Sequence, residues 1–128
     1  MSDLNKILYV EDDLDIQTVA QMALEAVGGF ELKICSSGSE ALDAAPAFAP
    51  DLILLDVQMP GMDGPTTMKN LRAHEDFSET PVVFMTAKVM PSDIESYKSL
   101  GAVDVISKPF DPMTLSEQIR EIWNAAHG

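Results

Sequence analysis

Leu52-Ile53-Leu54-Leu55 is a run of four branched apolar residues, closed at once by the carboxylate of Asp56. So short an apolar run with a polar stop reads as a buried strand. Four comparable segments lie on either side: Ile7 to Val10, Phe30 to Cys35, Val82 to Met85 and Val103 to Ile106. Helical spacing separates them, as in Ile16, Ala20, Ala23 and Val27 early in the chain and Leu115, Ile119 and Ile122 at its end. The pattern is a strand followed by a helix, five times over.

Punctuation residues agree with these boundaries. Gly28-Gly29 can end the first helix, and Ser37-x-x-Glu40 has the form of a capping box opening the second. Pro65 after Gly64 marks a helix start, and Asp111-Pro112 pairs an N-cap with proline at the first helical position of the fifth helix. Strands one, three and four are nearly continuous apolar runs, as required when helices cover both faces of a sheet. In the second strand Phe30, Leu32 and Ile34 alternate with Glu31, Lys33 and Cys35, which predicts an edge. The expected fold is α/β: a doubly wound, five-stranded parallel sheet, (βα)5, for which the flavodoxin-like strand order 2-1-3-4-5 is taken as one of the arrangements common to such folds.

At 128 residues the chain has the size of one ordinary domain, so residues 1–128 are expected to form a single unit with no output domain. Hydrophobic residues at 46% and charged residues at 23% predict a packed core rather than disorder. A single cysteine, Cys35, excludes an internal disulfide and fits a reducing compartment. Neither a basic-then-apolar leader nor a bilayer-length apolar run is present, so a cytoplasmic protein is expected. With 21 acidic against 8 basic side chains, the net charge of −13 repels nucleic acid and anionic lipid. Neither is an expected partner.

In wound sheets of this kind ligands bind beyond the carboxyl ends of the strands. Strand one ends in Glu11-Asp12-Asp13, strand three in Asp56, strand four in Thr86 and strand five in Ser107-Lys108-Pro109. With strands one and three adjacent, Glu11, Asp12 and Asp56 meet in one acidic pocket. Two carboxylates about 4 Å apart repel by roughly 4 kcal/mol at an effective dielectric of about 20, so three together call for cations. Lys108 supplies one positive charge, and a hard divalent ion with oxygen ligands supplies the rest most naturally. Mg²⁺ keeps several waters and so leaves positions for phosphate oxygens. A carboxylate can also attack phosphorus to give an acyl phosphate, and Asp56 is the best-placed nucleophile. Metal, lysine and hydroxyl are the parts that phosphoryl transfer uses.

These residues, Glu11-Asp12, Leu54 to Gly64 around Asp56-Val57-Gln58-Met59-Pro60-Gly61, Met85-Thr86-Ala87 and Lys108-Pro109-Phe110, resemble the response regulator receiver domains of two-component signalling. The resemblance covers essentially the whole chain. It implies that Asp56 accepts a phosphoryl group from a histidine kinase or a histidine phosphotransfer protein, with Mg²⁺ bound. It implies that Asp12 and Asp56 ligate the metal, that Glu11 assists, often through water, and that the Gln58 main-chain carbonyl completes the protein ligands. Thr86 and Lys108 would bind the phosphoryl oxygens, and Pro109 would follow a cis peptide bond, an uncommon geometry. Output would be a change in protein binding on the face of helix 4, strand 5 and helix 5, or transfer of the phosphoryl group to another protein's histidine. The implied state is a monomer or weak dimer, a phosphoacceptor rather than an enzyme. The chain departs from the family at Val105, where many members carry an aromatic residue, with Tyr97 nearby in sequence as a possible substitute. Gln58 and Lys88 occupy the positions that tune acyl phosphate lifetime.

Other readings of the same residues are weaker. A flavin phosphate would need hydroxyls and free backbone N–H groups after strand one, and Glu11-Asp12-Asp13 repels it. An aspartate-dependent phosphohydrolase needs a second acid two positions beyond the nucleophile, where Gln58 stands. Thr86 could instead cap the fourth helix, and Glu11 could serve in capping and charge balance. The methionines, Met59, Met62, Met85 and Met90 among them, read as adaptable packing, and His74 and His127 as surface residues without partners.

Overall fold

A computed structural model of the chain describes residues 4–127, with side chains from 4 to 126. Five parallel strands, β1 (Lys6–Val10), β2 (Glu31–Cys35), β3 (Leu52–Asp56), β4 (Val82–Thr86) and β5 (Asp104–Ser107), form one sheet in the order β2-β1-β3-β4-β5. Helices α1 (Leu14–Gln21), α2 (Gly38–Phe48), α3 (Gly64–Ala73), α4 (Pro91–Ser99) and α5 (Leu115–His127) connect or follow them. The expected fold and strand order are therefore those observed. The strands run slightly beyond their apolar runs, so that Asp56 and Thr86 are themselves the last strand residues.

Alternation along each strand divides the core in two. Ile7, Tyr9, Leu52, Leu54, Val83, Met85 and Ile106 face α1 and α5, while Leu8, Val10, Ile53, Leu55, Val82, Phe84 and Val105 face α2, α3 and α4. The edge role of β2 holds, with Glu31 and Lys33 exposed and Leu32 and Ile34 half-buried. Helix α4 contributes no fully buried residue and rests on the core through half-buried Ile94 and Tyr97.

Three boundary readings need correction. Val27 was expected on the buried stripe of the first helix but is 49% exposed. The helix widens into a π-turn over Met22–Val27, and the added residue shifts the phase so that Leu24 is buried instead. Helix α5 begins at Leu115 rather than at Pro112. Asp111 still opens it: its carbonyl accepts from the N–H groups of Thr114 and Leu115, and its carboxylate accepts from that of Met113, so residues 112–114 form a tight lead-in turn. At α2, Ser37 Oγ accepts from Glu40 N as a capping box requires, but the Glu40 carboxylate accepts from Ser36 N, one residue early. Pro65 does lie in the first turn of α3, after the N-cap Asp63.

The π-turn is held by α5. The buried Ser116 hydroxyl donates to Ala23 O, which also accepts from Gly28 N, and Arg120 donates to Gly28 O while lying over the Phe30 ring. Any side chain at Gly28 would collide with Ser116, so this close approach requires glycine.

Candidate functional site

Pairing of Val10 with Leu55 brings the ends of β1 and β3 side by side, so the next residues, Glu11 and Asp56, meet above the sheet. The bond from Glu11 N to Cys35 O extends the ladder on one side, and that from Val57 N to Met85 O extends it on the other. Gly64 N donates to Val57 O, and a Cβ on Gly64 would stand 2.5 Å from Asp56 O. Only glycine lets α3 start this close to the backbone of Asp56.

Glu11 and Asp56 are almost fully buried, whereas Asp12 is exposed at the mouth. One carboxylate oxygen from each lies within 4.8 Å of the others. Lys108 reaches in from the end of β5, its Nζ 3.0 Å from both Glu11 Oε1 and Asp56 Oδ1. Lys108 N bonds to Thr86 O, and the Lys108–Pro109 peptide is cis, as the resemblance implied. The structure thus gathers Glu11, Asp12, Asp56 and Lys108 around one point, with Thr86 on the neighbouring strand. Gln58 is exposed in the loop after β3.

The electrostatics follow from burial. Glu11 titrates above the ordinary carboxylate range because burial penalises its charge more than Lys108 and the Asp13 N–H relieve it. Burial alone would pull the Lys108 ammonium down, but its bonds to Asp56 and Glu11 reverse this and hold it above its ordinary value. One ammonium against three carboxylates leaves an excess of negative charge facing solvent at Asp12. Such an all-oxygen acidic cluster suits a hard divalent cation.

Thr86 does not cap α4. The N-cap there is Met90, and Thr86 Oγ1 accepts from Lys88 N at 3.1 Å. Val105, at the position where an aromatic residue was noted as common, is buried against the α2–α4 face; half-buried Tyr97 packs there too, edge-on to Phe84 with ring centroids 5.4 Å apart. Met59 and Met85 are buried as expected of packing residues, but Met90 is 67% exposed. His74 does have partners, since its Nδ1 accepts from Asp76 N and its ring lies against Phe77. The side chain of His127 lies outside the described residues.

Two neighbours of the acidic cluster were missed by sequence reasoning. The Tyr9 hydroxyl donates to Glu11 Oε1 at 3.2 Å, and Gln17 Nε2 donates to Glu11 O and to Ser36 Oγ. Tyr9 reads in the sequence as one more strand residue, and its position two before Glu11 was the only available signal.

Fold and cluster together define a class, and comparison with known proteins agrees with it. The family model for the response regulator receiver domain matches residues 7–120, and the chain belongs to that family, which places it in two-component signalling. It is 36% identical over 122 residues to the transcriptional regulatory protein CseB of Streptomyces coelicolor, covering 95% of this chain and 50% of CseB. It is 36% identical over 115 residues to the DNA-binding response regulator MtrA of Mycobacterium leprae, covering 90% of this chain and 49% of MtrA. The chain therefore spans about half the length of these two relatives. Among solved structures, the chemotaxis protein CheY4 of Vibrio cholerae superposes with a TM-score of 0.86 at 30% identity, covering 94% of this chain and 99% of that one. Among the described residues no helix is long and apolar enough to cross a membrane.

Proposed function

We propose that this domain is a signalling switch whose Asp56 accepts a phosphoryl group from a phosphohistidine of a histidine kinase or phosphotransfer protein. The observation that carries the reading is the buried Asp56 carboxylate, joined through Oδ1 to Lys108 Nζ at 3.0 Å and set in one cluster with Glu11 and Asp12. An Asp56 oxygen forms the new O–P bond as the N–P bond to the donor imidazole breaks and the electron pair stays with that nitrogen. Asp12, Asp56 and the Gln58 main-chain carbonyl are the groups that would hold Mg²⁺, with Glu11 assisting. Bound there, the ion would neutralise charge on the transferring oxygens. Lys108 and the Thr86 hydroxyl would take the remaining phosphoryl oxygens. The domain assists its own phosphorylation and dephosphorylation without being an enzyme acting on other substrates.

An exposed apolar surface beside the site supports a protein donor. Ile16, Val19, Pro109 and Phe110 line a groove next to Lys108, with Leu14 and Met113 exposed close by in sequence. Output would run through protein contacts on the α4–β5–α5 face, where Tyr97 ties α4 to Phe84, two residues before Thr86 on the same face of β4. The net charge of −13 favours protein contact over direct binding of nucleic acid by this unit, although MtrA as a whole is DNA-binding. Cytoplasmic placement and a monomer or weak dimer fit the same reading.

The test is labelling with acetyl phosphate and Mg²⁺, read by intact mass and by base lability of the adduct. The parent should gain one phosphoryl group and Asp56→Asn none. Equal labelling of Asp56→Asn would overturn the assignment.

A further inference from the structure

Tyr9 is fully buried in the core face shared with α1 and α5, yet its hydroxyl points out of that core to the acidic cluster. We propose that Tyr9 is a positioning residue of the site, fixing Glu11 as the counter-ion of Lys108 and leaving Asp12 and Asp56 to face the metal. The inference rests on the Mg²⁺ reading above and assigns a division of labour within it.

The geometry carries it. Glu11 Oε1 accepts from Tyr9 Oη at 3.2 Å and from Lys108 Nζ at 3.0 Å, and Glu11 Oε2 accepts from Asp13 N at 3.2 Å. Both oxygens are thus engaged by donors of the chain itself, from β1, from the loop after β1 and from the end of β5. A carboxylate held at three points has a fixed rotamer and little freedom to swing toward a cation at the mouth. Asp56 meets Lys108 through Oδ1 alone, and Asp12 is exposed. The oxygens available to an ion are therefore those of Asp12 and Asp56, while Glu11 acts through Lys108 and through water. Burial and the adjacent Glu11 carboxylate both disfavour the phenolate, so Tyr9 remains a donor at physiological pH. A phenylalanine there would fill the same space in the core but leave Oε1 to Lys108 alone.

Tyr9→Phe is the direct test, because it removes one hydroxyl and keeps the ring. Mg²⁺ affinity, followed by amide shifts of Asp12 and Asp13 during titration of the full chain, should weaken by about tenfold, because a Glu11 no longer fixed by Tyr9 loses its hold on Lys108 and on the water through which it would act on the ion. In a Glu11→Gln background the same change should have little further effect, giving strong coupling in a double-mutant cycle. In metal-free protein the Glu11 carboxyl carbon signal should move in Tyr9→Phe. Unchanged Mg²⁺ affinity with an unmoved Glu11 signal, or additive effects of the two substitutions, would overturn the proposal. If the parent itself fails to bind Mg²⁺ while Tyr9→Phe still shifts the Glu11 and Lys108 signals, the metal reading falls and the positioning of Glu11 stands.

Discussion

Among the described residues, Lys108 is the single cation facing the buried carboxylates of Glu11 and Asp56, at 3.0 Å from each. Removing one partner of such a pair leaves uncompensated buried charge, which costs about 3–5 kcal/mol in well-buried cases. Because the Lys108 side chain keeps 19% of its exposure, Lys108→Ala should cost about 2–3 kcal/mol near neutral pH, just below the range for fully buried pairs. The pH dependence has a definite sign. The folded-state value of Lys108 is raised above 10.5, so its contribution is full below that pH and is lost as pH rises through the higher folded value. Glu11 is also raised, from 4.5, so ionising it costs more in the folded state, and stability declines as pH rises through its folded value. The Lys108→Ala deficit should accordingly shrink toward pH 4, where carboxyls begin to carry protons, and Mg²⁺ should offset part of it at neutral pH. Urea denaturation across pH, with and without Mg²⁺, checks this; a deficit that does not vary with pH would argue against buried charge as its cause.

Helix α3 shows how closely an element must approach to shape the site. Its first residue, Gly64, leaves only 2.5 Å between a would-be Cβ and Asp56 O, and 2.9 Å to Val57 Cα, and both obstacles are backbone. Gly64→Ala should therefore cost about 1–3 kcal/mol by overpacking. It should also slow phosphoryl labelling of Asp56 by displacing the loop that carries Gln58. Chemical denaturation together with the rate of labelling measures both effects; a Gly64→Ala protein of parental stability and labelling rate would contradict the packing. Helix α4 is the opposite case, held by half-buried Ile94 and Tyr97 and by no fully buried residue. An element with so few buried contacts opens at lower cost than its neighbours. That property suits the change of protein binding proposed for this face.

Across the whole molecule, the charge of −13 makes every surface carboxylate repel many others. Such self-repulsion works against the compact state and is screened by salt, with a Debye length falling from about 30 Å at 0.01 M to about 8 Å at 0.15 M. Raising NaCl over that range, with a chelator present to exclude divalent ions, should raise Tm by about 3–5 °C, equivalent to roughly 1 kcal/mol for a chain of this length. A Tm independent of salt would mean that the charges are already locally compensated. The hydrophobic sheet resists that repulsion: Leu52, Ile53, Leu54 and Leu55 have no exposed surface at all.

The periods of the apolar residues, and the polar residues that stop each run, were enough to read the five strands and the acidic strand ends, because both are local and repeat along the chain. The sheet order came from the arrangement common to such wound folds, not from the pattern itself. Asp56, Glu11, Asp12, Thr86 and Lys108 were legible for the same reason, each standing next to an apolar run in a fold whose strand ends converge. What local pattern could not supply was the contact made across the sheet. The phase shift that buries Leu24 and exposes Val27 depends on Ser116 and Arg120 docking from α5, 92 or 93 residues away from their backbone partners. Likewise the hydroxyl of Tyr9 meets a carboxylate that Lys108, 97 residues further along, holds in place. Strand periodicity says which face a side chain takes, but a hydrogen bond is set within a few tenths of an ångström. Only the packed helices and the completed sheet bring such distant groups to that distance.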